Sequence, residues 1–133
     1  MAELTCIVVT PEQTVRETSA DFVALTLFDG EIGIGPGHTP LIGRLGYGEM
    51  RIRHGSQVER FYVEGGFVEV VDDVVSLLTN RAIAADKIDE QAAYQLMETA
   101  RNQAARTPEL MAARQQTMAQ AWAQLRIVRQ TIT

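Results

Sequence analysis

Residues 74–97 read VVSLLTNRAIAADKIDEQAAYQLM, and the hydrophobic period changes inside them. Val74–Leu78 is a short β-rich run set off by the turn pair Asp72-Asp73. From Asp86 onward the chain has no glycine, and alanine, glutamine, arginine and leucine dominate, all good helix formers. The join at Ala85-Asp86 therefore separates a β part, 1–85, from a helical part, 86–133. The expected fold class is α+β: an antiparallel β-sandwich or flattened barrel followed by an antiparallel two-helix hairpin.

Upstream of the join the signals are strands and turns. Leu4–Val9 is β-rich and stops at Thr10-Pro11, because proline cannot continue a central ladder. Val15–Thr18 reads as a second short strand. Phe22–Phe28 runs into Asp29-Gly30, a pair that predicts a type I′ turn with positive φ at both positions, and on to Glu31–Ile34. Gly48–Arg53 alternates, with Met50 and Ile52 on one side and Glu49, Arg51 and Arg53 on the other. His54-Gly55-Ser56 turns the chain into Val58–Val63. Beyond Gly65-Gly66, Phe67–Val71 and Val74–Leu78 form another hairpin about Asp72-Asp73. Short strands with turn signals this closely spaced predict a sandwich.

Downstream, Asp86, Asp89 and Glu90 put negative charge where a helix dipole favours it. Ile88, Ala92, Leu96, Ala100 and Ala104 step by four, with Ala93 and Met97 alongside, and predict one shared face. Thr107-Pro108 ends this helix and opens the next, threonine as cap and proline in the first turn. Met111, Met118, Leu125 and Ile132, with Ala121 and Val128 between, make a narrow apolar seam that Arg114 interrupts. With so many alanines the hairpin gains little from closing, which predicts a weakly held helical pair able to adopt a second arrangement.

Charge divides at the same join. The β part holds twelve acids and six arginines, a balance of −6, while the helical part holds five acids and six bases, a balance of +1. So acidic a body is a poor match for a phosphate backbone, and no nucleic-acid partner is expected. The arginines of the second part, Arg101, Arg106, Arg114, Arg126 and Arg129, read as a solvated face or a surface for an acidic protein. The start MAELTCIVV has no basic region before its short apolar run, so no targeting segment is expected, and no stretch approaches a membrane span.

Chemistry-bearing patterns are sparse. Gly30–Gly37, GEIGIGPG, has the glycines of a phosphate cradle, but Pro36 intervenes, no lysine follows, and His38-Thr39-Pro40 cannot open a helix. It reads as a tight excursion at a sheet edge. Cys6, the single cysteine, reads as a buried strand residue. His38, His54 and Cys6 lie in separate segments without zinc spacing, so no metal is expected. Ser19, Ser56 and Ser76 lack nucleophile context, and Glu64, Glu69, Asp72 and Asp73 read as the polar side of strands and a turn. No catalytic residue and no cofactor are expected.

Four stretches together carry a resemblance: GEIGIGPGHTPLIGRL at 30–45, YVEGGFVEV at 62–70, VVSLLTNRAI at 74–83 and AWAQLRIV at 121–128. In this order, and followed by two alanine-rich helices, they resemble the epsilon subunit of F-type ATP synthases along essentially the whole chain. The resemblance implies a non-catalytic rotor subunit that couples the catalytic head to proton transport. Its sandwich would bind the gamma subunit and rest on the membrane-embedded c ring, with Glu31 and His38 at that interface. Its hairpin would fold down or extend to the alpha and beta subunits and inhibit ATP hydrolysis, with Arg114, Arg126 and Arg129 facing an acidic segment of beta. Some members bind ATP through Ile/Leu-Asp-x-x-Arg-Ala at the start of the first helix. Here Ile88, Asp89 and Ala93 match, but Ala92 stands in place of the arginine. The implied place is peripheral, on the cytoplasmic face of a bacterial inner membrane or the stromal side of a thylakoid. Two other readings remain at this point. A free-standing sandwich that binds a small ligand and dimerises through its hairpin would show a deep apolar pocket. An enzyme assembled only in three dimensions would show converging polar groups.

Overall fold

Alternation of apolar and polar residues folds the β part into ten short strands among the residues described, which in this computed structural model are 3–131. They are β1 Leu4–Val9, β2 Thr14–Ala20, β3 Phe22–Leu27, β4 Gly30–Ile34 and β5 Leu41–Arg44. After them come β6 Tyr47–His54, β7 Gln57–Glu64, β8 Phe67–Val71, β9 Val74–Leu78 and β10 Ala82–Ala84. The first sheet has the order β2-β1-β9-β8-β5 and the second the order β10-β7-β6-β3-β4. Every pairing is antiparallel except β1 with β9, which runs parallel with Thr5 opposite Val74 and Val9 opposite Leu78. Inward residues fill the space between the sheets: Leu4, Cys6 and Val8 from β1, Val23 and Leu25 from β3, Met50 and Ile52 from β6, and Val75 and Leu77 from β9. A bidentate pair, Arg16 Nε and Nη2 to the two Glu59 oxygens at 2.9 Å, joins β2 of the first sheet to β7 of the second.

Three strand details depart from expectation. The loop between β3 and β4 is Phe28-Asp29, because Leu27 pairs with Gly30, and Asp29 keeps negative φ. Positive φ at two successive turn residues occurs at Asp72 (51°) and Asp73 (63°) instead, where Val71 pairs with Val74. Strands β5 and β10 were not expected. At four and three residues, the former behind Pro40 and containing Gly43, they are too short for alternation to register. Gly66 sits at φ +97° with the main chain of β9 pressed against it: a Cβ there would lie 1.9 Å from the Leu78 carbonyl oxygen.

The chain divides into two compact units between Ala84 and Ala85. The second opens with a 3-10 turn, Ala85–Lys87, so Asp86 lies outside the α-helix. The N-cap is Asp89, whose Oδ1 accepts from Ala92 N at 3.0 Å, and α1 runs Glu90–Asn102. It buries Ala93, Met97 and Ala100, while Ala92 is exposed and Leu96 half-buried. Repeated steps of four drift about 40° each around a 3.6-residue helix, so spacing 4-3 holds a face that 4-4-4 cannot. Ala104 lies beyond α1, in the link 103–107. As expected, Thr107 caps α2 (Pro108–Thr131), its Oγ1 accepting from Leu110 N at 3.1 Å. On α2, Ala121 and Leu125 are buried and Met118 and Val128 half-buried, but Met111 is exposed and Ile132 lies outside the described residues. Gln124 and Ile127 are buried on an adjoining face of α2.

Candidate functional site

The glycine-rich motif at 30–37 does not form one site. Glu31 is exposed on β4, the edge strand of the second sheet, opposite Thr26. His38 lies in the loop between β4 and β5, beyond the far end of the strand. At about 3.3 Å per residue, β4 puts Glu31 about 13 Å from Gly35, where that loop starts. The loop is a turn closed by His38 N to Gly35 O at 3.3 Å, with Gly37 at φ +81°. Gly37 N donates to Asp73 Oδ1 at 2.7 Å, which ties the loop to the turn between β8 and β9. The His38 ring donates from Nδ1 to the Thr39 carbonyl at 2.7 Å, since that oxygen can only accept.

The loop leads into β5 and the outer face of the first sheet, where three large apolar side chains stand in solvent. Ile42 is 74% exposed, Phe67 59% and Leu78 61%. Phe67 pairs with both Leu78 and Arg44, and Ile42 is two residues from Arg44 on β5, so the four adjoin. Phe28, 67% exposed, has the Arg44 guanidinium 5.9 Å above its ring. An apolar cluster around one arginine is the composition of a protein contact surface. Sequence reasoning missed these residues, although Leu77-Leu78 contains the signal. Adjacent apolar residues in a strand cannot both face the core.

In the helical unit, Arg114 has a definite role. Its Nε donates to the Ala100 carbonyl at 2.9 Å and its Nη2 to that of Arg101 at 3.3 Å, closing the C-terminal end of α1. Arg129 Nη2 reaches the Tyr94 hydroxyl at 3.4 Å, and Arg126 is exposed. These contacts run the two helices antiparallel. Of the nucleotide-type motif, Ile88 is half-buried, the Asp89 carboxylate is engaged as the N-cap, Ala93 is buried and Ala92 faces solvent.

Among the described residues, the groups suited to covalent chemistry lie apart. The Cys6 thiol is fully buried, and its pKa is pushed up to about 12, chiefly by loss of hydration and then by the Glu59 charge. It is a neutral packing group at any ordinary pH. Among the described residues no three His, Cys, Asp or Glu side chains group as a metal site. Two clefts, of about 470 Å³ beside Phe28, Arg44 and Tyr47 and about 230 Å³ beside Pro11 and Asn80, open at loops. The side chains between the sheets are closed off from solvent, with Leu25, Val70 and Leu77 no more than 1% exposed.

A β-sandwich and a helical hairpin, with an exposed apolar face and a clamped loop at its rim, define an interaction module. The family model described as the ATP synthase delta/epsilon chain β-sandwich domain matches residues 3–85. The ATP synthase epsilon chain of Rhodopirellula baltica is 46% identical over 124 residues, covering 93% of this chain and 97% of that one. The epsilon chain of Carboxydothermus hydrogenoformans is 40% identical over 99 residues, 74% of each chain. This chain therefore belongs to the delta/epsilon-chain family of ATP synthase. In fold it is similar to a chain of the Euglena gracilis mitochondrial ATP synthase OSCP/F1/c-ring assembly, with a TM-score of 0.85. That match is at 17% identity and covers 100% of this chain and 83% of that one. It is also similar to a chain of the Tetrahymena thermophila mitochondrial ATP synthase central stalk and c-ring, with a TM-score of 0.73 at 15% identity, covering 94% and 96%.

Proposed function

We infer that this chain is a non-catalytic rotor subunit of a proton-translocating ATP synthase, docked on the gamma subunit and the c ring. The observation that carries the reading is the outer face of the first sheet, where Ile42, Phe67 and Leu78 are exposed beside a buried core. Burying each such side chain stabilises a complex by about 1.5–3 kcal/mol, enough for three to anchor a partner. Relatives bearing the epsilon-chain name, and fold neighbours from assemblies that contain a central stalk and c-ring, support gamma as that partner. The His38 loop rims this face at its Val71 end, away from Phe67 and Leu78, and belongs to the gamma contact. Glu31, exposed on the edge strand of the second sheet, is left for the ring.

The helical unit, 85–133, is the regulatory part. Extended toward alpha and beta, it inhibits ATP hydrolysis, with exposed Arg126 and Arg129 meeting an acidic segment of beta and Arg114 joining them when it leaves α1. The subunit touches the membrane only through the complex, on the cytoplasmic face of a bacterial inner membrane. The test is to add the chain to a gamma-containing catalytic complex that lacks epsilon. Co-elution with a fall in ATPase rate is expected, and Phe67→Glu abolishes both. Failure of the unaltered chain to associate refutes the reading.

A further inference from the structure

The turn between β8 and β9 places two aspartates in the left-handed region, where glycine would sit without steric cost. The Asp73 carbonyl accepts from Thr5 N at 2.9 Å, a contact any residue would make. Its side chain does something glycine could not: Oδ1 accepts the Gly37 amide at 2.7 Å, across 36 residues of chain. That bond is charge-assisted and short, whereas the loop's own closure, His38 N to Gly35 O, is 3.3 Å. Gly37 is held at φ +81° with open space where a Cβ would be, so backbone conformation, not crowding, requires glycine there. The same device recurs where the Asp21 carboxylate accepts from Gly55 N, another glycine with positive φ. A carboxylate thus holds a glycine of positive φ in each of two loops.

We propose that Asp73 is a positioning residue of the gamma-docking surface, its carboxylate setting the β4–β5 loop in the shape that the partner meets. The identity of the partner rests on the reading above. The positional argument rests on the face itself: the loop enters β5 at the Val71 end of the outer face, where Val71 is 39% exposed, and Ile42 leads from there toward Phe67 and Leu78 at the other end. A loop held in its bound shape before contact spares the complex the cost of ordering it. The residue acts on affinity without touching the partner.

The test uses the full chain with Asp73→Gly and Asp73→Asn. Glycine removes the carboxylate and relieves the left-handed backbone, so the melting temperature is retained or raised. The Gly37 amide then exchanges with solvent about tenfold faster or more. Affinity for the gamma-containing complex falls by on the order of tenfold. Asparagine tolerates the same backbone and keeps an acceptor oxygen, so it restores both readouts in part. A purely structural role would move the melting temperature and leave affinity alone. Unchanged protection of Gly37 in Asp73→Gly overturns the proposal, as does lost protection with unchanged affinity. Failure of the wild-type chain to bind is a different result: it refutes the rotor reading and removes the partner assigned to the loop.

Discussion

Replacing Arg114 by alanine tests whether the hairpin is closed by its ends or by its seam. The side chain supplies a 2.9 Å bond to the Ala100 carbonyl and a longer one, 3.3 Å, to that of Arg101. A charge-assisted hydrogen bond contributes about 1.5–3 kcal/mol when well buried. Arg114 is half-buried, so the shorter bond counts for about half of that and the longer for little. A cation at a helix C-terminus adds about 0.3–1 kcal/mol. The total is about 1–2 kcal/mol, or a factor of about 5–30 in the opening equilibrium of the last turn of α1. Residue-resolved hydrogen exchange on the full chain reads it directly. Amides of residues 100–103 should exchange faster by that factor, while those of β6 and β7 stay as they were. Arg114→Lys, which keeps the charge but loses the fork, should fall between. Equal exchange at 100–103 in Arg114→Ala and wild type would show that the seam alone closes the hairpin.

Gly66→Ala pushes a Cβ to 1.9 Å from the Leu78 oxygen and 2.8 Å from Thr79 Cα at a left-handed backbone. Strain and overpacking together cost about 2–5 kcal/mol, so the sandwich should melt at least about 10 °C lower, and a fall below about 4 °C would refute the steric account. Glu59 is held below its usual pKa of 4.5, first by its hydrogen bond from Arg16, so the stabilisation is present above that value and lost as pH falls through the lower folded one. For a pair this exposed, Glu59→Gln should cost only about 0.2–1 kcal/mol at pH 7, a gap in melting temperature that closes as pH falls through the lowered folded value; a constant gap would refute it. The isolated chain should show no micromolar ATP site by calorimetry. Ala92 is exposed and leaves room for a guanidinium, so Ala92→Arg should tighten ATP binding about tenfold or more; no gain would remove the motif from the argument.

Strands with strict alternation were legible because burial on one face writes itself into every second residue, as in β6 and β8. What escaped was either too short to show a period, like β5 and β10, or non-local, like the parallel pairing of β1 with β9, which leaves no trace in either segment. The Asp29-Gly30 pair misled because a turn is fixed by the register of its flanking strands, and here Leu27 pairs with Gly30. On α1 the ambiguity is chemical: Ala92 and Ala93 are equally good helix formers, and one faces solvent while the other is buried. The site divides the same way. His38 and Glu31 share a motif that an extended strand pulls apart, and the bond from Gly37 to Asp73 spans too much sequence to be read locally.

The two units are also stabilised in different currencies of contact. The sandwich rests on a continuous apolar core with the inward positions of β1 and β9, and Val23 and Leu25 of β3, buried. α1 buries two alanines and a single methionine, so its apolar hold is small. What fixes its length is polar and sits at its termini: Asp89 at the start and Arg114 at the finish, with Thr107 doing the same for the start of α2. Bonds of this kind exchange readily for water or for a partner's groups, because each is worth about 1 kcal/mol net. A core of the sandwich's kind has no such substitute. The difference gives the first unit one fixed packing and leaves the second with ends whose bonds can be exchanged, and it arises from the alanine content of residues 90–102 as much as from any single contact.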